Sequence, residues 1–115
     1  MKASMLFLMG LLAASCAATY ARAAASNPFD GEWVEVIVGE NQHCDVTVNT
    51  EFTVSGGHLS QPGSSGTVRP NGSAVGTSSN SGLTATWTGH FSRNKAAGRF
   101  RRSDGCVGRW SAVRH

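Results

Sequence analysis

Cys44 and Cys106 carry the clearest chemistry in this 115-residue chain, because they stand 62 positions apart with only Cys16 besides them. In an oxidising compartment an even pair of this kind reads as a disulfide, and closing so long a loop stabilises a fold by about 4 kcal/mol on the chain-entropy argument. The other reactive types do not assemble. His43, His58, His90 and His115 lack the spacing that sets two imidazoles on one element or builds a zinc site. His43-Cys44-Asp45 has triad-type residues in a row, but neighbours on an extended chain point to opposite faces and cannot relay a proton. Gly63-Ser64-Ser65-Gly66 is one residue short of a nucleophile elbow and sits in turn chemistry. Glu32 and Glu35 have opposite parity, which speaks against paired carboxylates on one strand. The chain reads as a non-enzyme, with no catalytic residue, no metal site and no cofactor.

The elements that position these residues are strands. From Asp45 to Val54, the residues Val46, Val48, Phe52 and Val54 share one parity and polar residues take the other. Leu83, Ala85, Trp87 and Phe91 alternate in the same way with Thr84, Thr86, Thr88 and His90. A period of two places one set in a core and the other in water. Turn-forming clusters such as Ser55-Gly56-Gly57, Pro62-Gly63-Ser64 and Pro70-Asn71-Gly72 recur every ten residues or so. They divide the chain into eight predicted strands, over 31–38, 44–54, 58–61, 66–69, 73–78, 83–92, 96–102 and 106–114. Connections this short join only antiparallel strands. The predicted fold is all-β, an up-and-down antiparallel meander closed as a small barrel, with a two-sheet sandwich as the alternative.

Closure is favoured because the second and eighth strands then flank the first, so that Cys44 and Cys106 bridge across its end. It also brings the acidic first strand beside the basic last ones. Arg99, Arg101 and Arg109 form a stripe that is either an anion-binding site or the counterpart of Glu35 and its neighbours in cross-strand ion pairs. No aromatic is interleaved on the exposed parity to stack bases, so nucleic acid is not an expected partner. The inward parity holds Trp33, Trp87 and Trp110, often after small residues, as in Gly108-Arg109-Trp110. They belong to a filled core or, as the sharper reading, contact a ligand inside the barrel.

The first residues look like an export signal. Lys2 precedes the short apolar run Met5–Ala14, and Ala21-Arg22-Ala23 or Ala23-Ala24-Ala25 offers a cleavage site. On that reading residues 1–25 are a signal helix and 26–115 the barrel domain, and losing Lys2 and Arg22 takes the formal charge from +3 to +1. Ala14-Ser15-Cys16 resembles the end of a bacterial lipobox, which makes Cys16 a candidate for lipidation. The apolar run is too short to cross a bilayer, and the alternating threonines are wrong for the lipid face of a transmembrane barrel. The expected location is periplasmic or secreted, with an outer-membrane lipoprotein as the alternative, and the expected state is a monomer.

Phe29-Asp30-Gly31-Glu32-Trp33, a cysteine after the first strand, Asn71-Gly72 at mid-chain and Cys106-Val107-Gly108-Arg109-Trp110 at the end resemble a group of uncharacterised small exported β-proteins of Gram-negative bacteria. That resemblance implies location and fold more than activity. A fainter one is to the periplasmic metalloprotease-inhibitor family and related small outer-membrane lipoprotein barrels, from which the wide cysteine separation departs. The functional expectation is an exported module that binds a macromolecule or serves structurally. The alternatives are a carrier of a small hydrophobic ligand or haem, and an inhibitor-like envelope lipoprotein.

Overall fold

Side-chain alternation and tight turns carry the chain through eight antiparallel strands: β1 (Gly31–Gly39), β2 (Thr47–Ser55), β3 (His58–Gln61), β4 (Ser64–Val68), β5 (Ser73–Asn80), β6 (Leu83–Ser92), β7 (Lys95–Arg102) and β8 (Val107–Arg114). The computed structural model describes residues 27–42, 44 and 46–115. The predicted signal segment with Cys16, together with His43 and Asp45, lies outside the described residues.

Each strand pairs with its neighbours in sequence, and β8 returns to β1 with Ile37 opposite Trp110 and Gly39 opposite Gly108. The sheet is therefore a closed barrel rather than a sandwich, and closure leaves no strand edge unpaired. Turn chemistry explains the register. Gly56 and Gly57, at φ 60° and 79°, supply the two left-handed positions of the hairpin between β2 and β3. Two strand starts differ from expectation by more than one residue. β2 begins at Thr47 because the preceding residues form a connection of their own, in which Asn41 bridges Cys44 and the Gly39 N–H reaches the Val46 carbonyl at 2.9 Å. β4 begins at Ser64 because Pro62-Gly63 alone turns the chain, with Gly63 at φ 78°.

The disulfide is formed. Cys44 and Cys106 join across the end of β1 with their Cα atoms 5.1 Å apart. Gly39 passes so close beneath that a Cβ there would meet the Cys44 sulfur at 2.7 Å. That end of the barrel is its mouth.

The opposite end is the base, and it is plugged. Trp33 is wholly buried, edge-on to Phe91 at 4.9 Å and stacked with Phe52 at 6.0 Å. Val54, Leu59 and Val68 fill the space around them. The segment just before β1 folds under this core. Phe29 packs on Phe91 at 5.6 Å, and its carbonyl accepts the Trp33 indole N–H at 3.0 Å. Asp30 accepts the Gly56 and Gly57 N–H groups at 2.9 and 3.1 Å, which hold its carboxyl below the usual range. Arg114 completes the closure, donating to the carbonyls of Asp30 and Pro28 while lying 4.8 Å over the Trp33 ring.

Candidate functional site

The inward positions change character with height. At mid-barrel, large rings sit over glycines of the neighbouring strands. Trp87 covers Gly66 and Gly76, Trp110 covers Gly89 and Gly98, and Phe100 covers Gly108. A Cβ at any of these glycines would run into ring atoms, so the bare backbone is what admits the rings. Trp87 and Trp110 meet edge to face at 5.7 Å, and the Trp110 indole N–H donates to the Thr88 carbonyl at 3.2 Å. Nearer the mouth the inward residues are short or polar, among them Ser64, Ser78, Asn80 and Ala85. They do not meet across the barrel. A cavity of about 410 Å³ remains, with Trp87, Trp110 and Phe100 as its floor and Ile37, Val46 and Val48 along one wall.

Val46 and Val48 were expected in the core by parity. They do face the interior side, but at the mouth they stay 37% and 44% exposed. The three tryptophans also separate. Trp87 and Trp110 line the cavity, whereas Trp33 is sealed in the base and does not.

Glu35, which the sequence set against the arginines, faces the cavity instead. Its neighbours of like parity on β1 are Trp33 and Ile37, so its carboxyl faces inward, opposite Thr50 of β2 and Ala112 of β8. It is 8% exposed and lines the cavity. The Gln61 amide approaches it at 3.5 Å, while giving its shorter bond, 2.8 Å, to the Glu51 carbonyl. Removal from water dominates, and it pushes the carboxyl up to about 7 from an ordinary 4.5 against the weaker pull of the Gln61 amide. The parity of Trp33, two residues earlier, was the signal that could have found it.

The expected pairing of the arginines with Glu35 is therefore corrected. Arg99 and Arg109 stand directly opposite each other on β7 and β8, and both converge on Glu40, at 2.9 and 2.8 Å. One carboxylate between two guanidinium groups relieves the repulsion of like charges in cross-strand register. Arg101 faces outward beside Thr84 and Thr86 in a shallow hydroxyl-lined depression on the outer wall. The three candidate anion-binding arginines thus do not converge on one point. Arg102, at the cavity rim, grips Asp104 with two 2.8 Å bonds, which hold the Asp104 carboxyl down to about 2. Among the described residues no three His, Cys, Asp or Glu side chains gather as metal ligands.

Fold and site together define a class: a small up-and-down barrel, tied by a disulfide at its mouth and hollow in its upper half. No family model matches the chain, and no curated protein or solved structure is significantly similar to it. The described residues contain no helix long and apolar enough to cross a membrane.

Proposed function

We propose that this is an exported, non-enzymatic binding protein that takes a small, flat, mainly apolar molecule into the open half of its barrel. The observation that carries the proposal is the cavity of about 410 Å³ above the packed rings, with Trp87 and Trp110 contributing to its floor. That volume lies within the range of small-molecule sites, roughly 300–1,000 Å³, and the mix of apolar wall with a few polar groups is what such sites share. A metal-free organic molecule fits better than haem, since the described lining offers no imidazole, thiol or thioether to an iron. Macromolecular docking finds less support, because the large exposed apolar residues are dispersed, with Val36 and Val113 on one wall and Val75 on another. Export is supported by the disulfide together with the signal-like leader.

The test is a fluorescence titration with the neutral probe N-phenyl-1-naphthylamine. Saturable one-to-one binding is expected, accompanied by quenching of tryptophan emission, and Ala85→Phe should weaken it at least tenfold by filling the cavity. Absence of saturable binding, or a filled variant that binds as well as the parent, overturns the proposal. Intact mass of the exported protein tests the remainder. A start near Ala24 or Ser26 without acyl chains supports simple cleavage, and an acylated Cys16 supports the anchor.

A further inference from the structure

We propose, resting on the ligand-site reading above, that the molecule bound in the barrel mouth is an organic amine whose positive charge is met by Glu35.

The argument is one of unmatched charge. A carboxyl placed at the wall of a largely apolar cavity is unfavourable unless something there uses it. The elements around it present few charges. β1 itself places Trp33 and Ile37 on the inward parity. β2 sets Thr50 opposite Glu35, and β8 sets Ala112 there. β3 brings Gln61, whose amide is neutral and already engaged with Glu51. The one basic side chain in the described lining is Arg102 of β7, and it is bound in two-point contact by Asp104. Among the described residues no cation neutralises Glu35, so the charge balance there is left to the contents of the cavity.

The remaining walls agree with this assignment. Trp87, Trp110 and Phe100 present ring surfaces on which the apolar body of an amine packs, and aromatic rings attract cations rather than anions. A carboxylate or phosphate ligand would instead enter against Glu35 and the electron-rich faces of the indoles. A neutral hydrocarbon would leave the carboxyl without a partner. The high proton affinity of Glu35 in the empty barrel fits as well. The acid is neutral or charged near pH 7 with little bias, and an entering ammonium displaces the proton and stabilises the ionised form.

The experiment displaces bound N-phenyl-1-naphthylamine with three ligands of one shape: 2-phenylethylamine, 2-phenylethanol and phenylacetate. Near pH 8 the amine should compete at least tenfold better than the alcohol, and the alcohol better than the acid. Near pH 5, where Glu35 is protonated, the preference for the amine should shrink to within about threefold. Glu35→Gln, nearly identical in shape, should treat amine and alcohol alike at both pH values, each read against the variant's own affinity for the probe. A probe that binds while the amine fails to outcompete the alcohol overturns the amine assignment and leaves the cavity reading standing. The same holds for an amine preference that survives in Glu35→Gln. Calorimetric titration of the amine alone covers the remaining case: if neither probe nor amine binds the parent protein, both readings fall.

Discussion

The two halves of this barrel are built by the same eight strands, yet one is solid and the other hollow. At the base, inward positions carry Trp33, Phe52, Val54, Leu59, Val68 and Phe91, all buried, and a chain segment with Phe29 folds beneath them. At the mouth the same strands turn in Ile37, Val48, Gln61, Ser64, Ser78 and Ala85, too short to touch across the lumen. A barrel of eight strands has an interior that side chains can just fill, so its occupancy is decided by residue size at each level. Here buried apolar bulk is concentrated below the ring of glycines and tryptophans, and open space above it. That division is most exposed to test by truncating Trp33. With no solvent exposure and two aromatic neighbours, Trp33→Ala should lower unfolding free energy by about 3–5 kcal/mol in denaturant titrations. A loss below about 1 kcal/mol would mean that the base is not the stabilising half.

The disulfide sharpens the comparison because it sits at the mouth but acts on the whole chain. It restricts the unfolded ensemble over 62 residues, so its contribution does not depend on local packing. Replacing both cysteines by serine should lower global stability by about 2–4 kcal/mol, read by the same denaturant titration. Hydrogen exchange should show the base strands losing protection along with the mouth. Loss confined to residues near Asn41 and Gly105 would mark the bridge as a local clip.

Glu35 lies where the two halves meet, and its effect is pH-dependent. Its folded-state value, about 7, is raised from 4.5, so between these values the folded chain holds more proton than the unfolded one. Stability contributed by the neutral acid is full below about pH 4.5, falls as pH rises through the window, and is lost above about 7. The shift corresponds to at most about 3 kcal/mol. Glu35→Gln should flatten this profile, matching the parent near pH 4 and exceeding its stability near pH 8. The same decline with pH in both proteins would place the titrating group elsewhere.

How far these features could be read in advance follows from what parity does and does not encode. Alternation over Leu83–Ser92, and glycines at turns such as Gly56-Gly57, were enough for eight strands and their order. The place of Cys44 and Cys106 on either side of the first strand was enough for closure. Parity states which face a side chain takes, but not its height along the barrel axis. Height depends on the stagger between strands, which is a property of the closed sheet. For that reason Trp33, Trp87 and Trp110 looked equivalent, and Val48 looked as buried as Val54. Glu35 was hidden for a different reason. Its charge invited pairing with the arginines, although its parity already set it beside Trp33, and Glu40 is the residue that pairs them.

Val48 and Val54 therefore provide the finest test, since they lie on one strand, share one parity and differ only in height. Val54 is 1% exposed among the base aromatics, and Val48 is 44% exposed at the cavity wall. Threonine matches valine in shape and exchanges a methyl for a hydroxyl. At Val54 that hydroxyl has no water and should lower stability by about 1–3 kcal/mol. At Val48 it remains hydrated, and the change should stay within about 0.5 kcal/mol. The order reverses for binding. Val48→Thr removes one apolar group from the cavity wall and should weaken the naphthylamine probe by roughly fourfold, on about 0.8 kcal/mol per buried carbon. Val54→Thr, measured where it is fully folded, should leave probe affinity unchanged. If both substitutions move stability and binding together, the upper half is an extension of the core, and the separation of a solid base from a receptive mouth is lost.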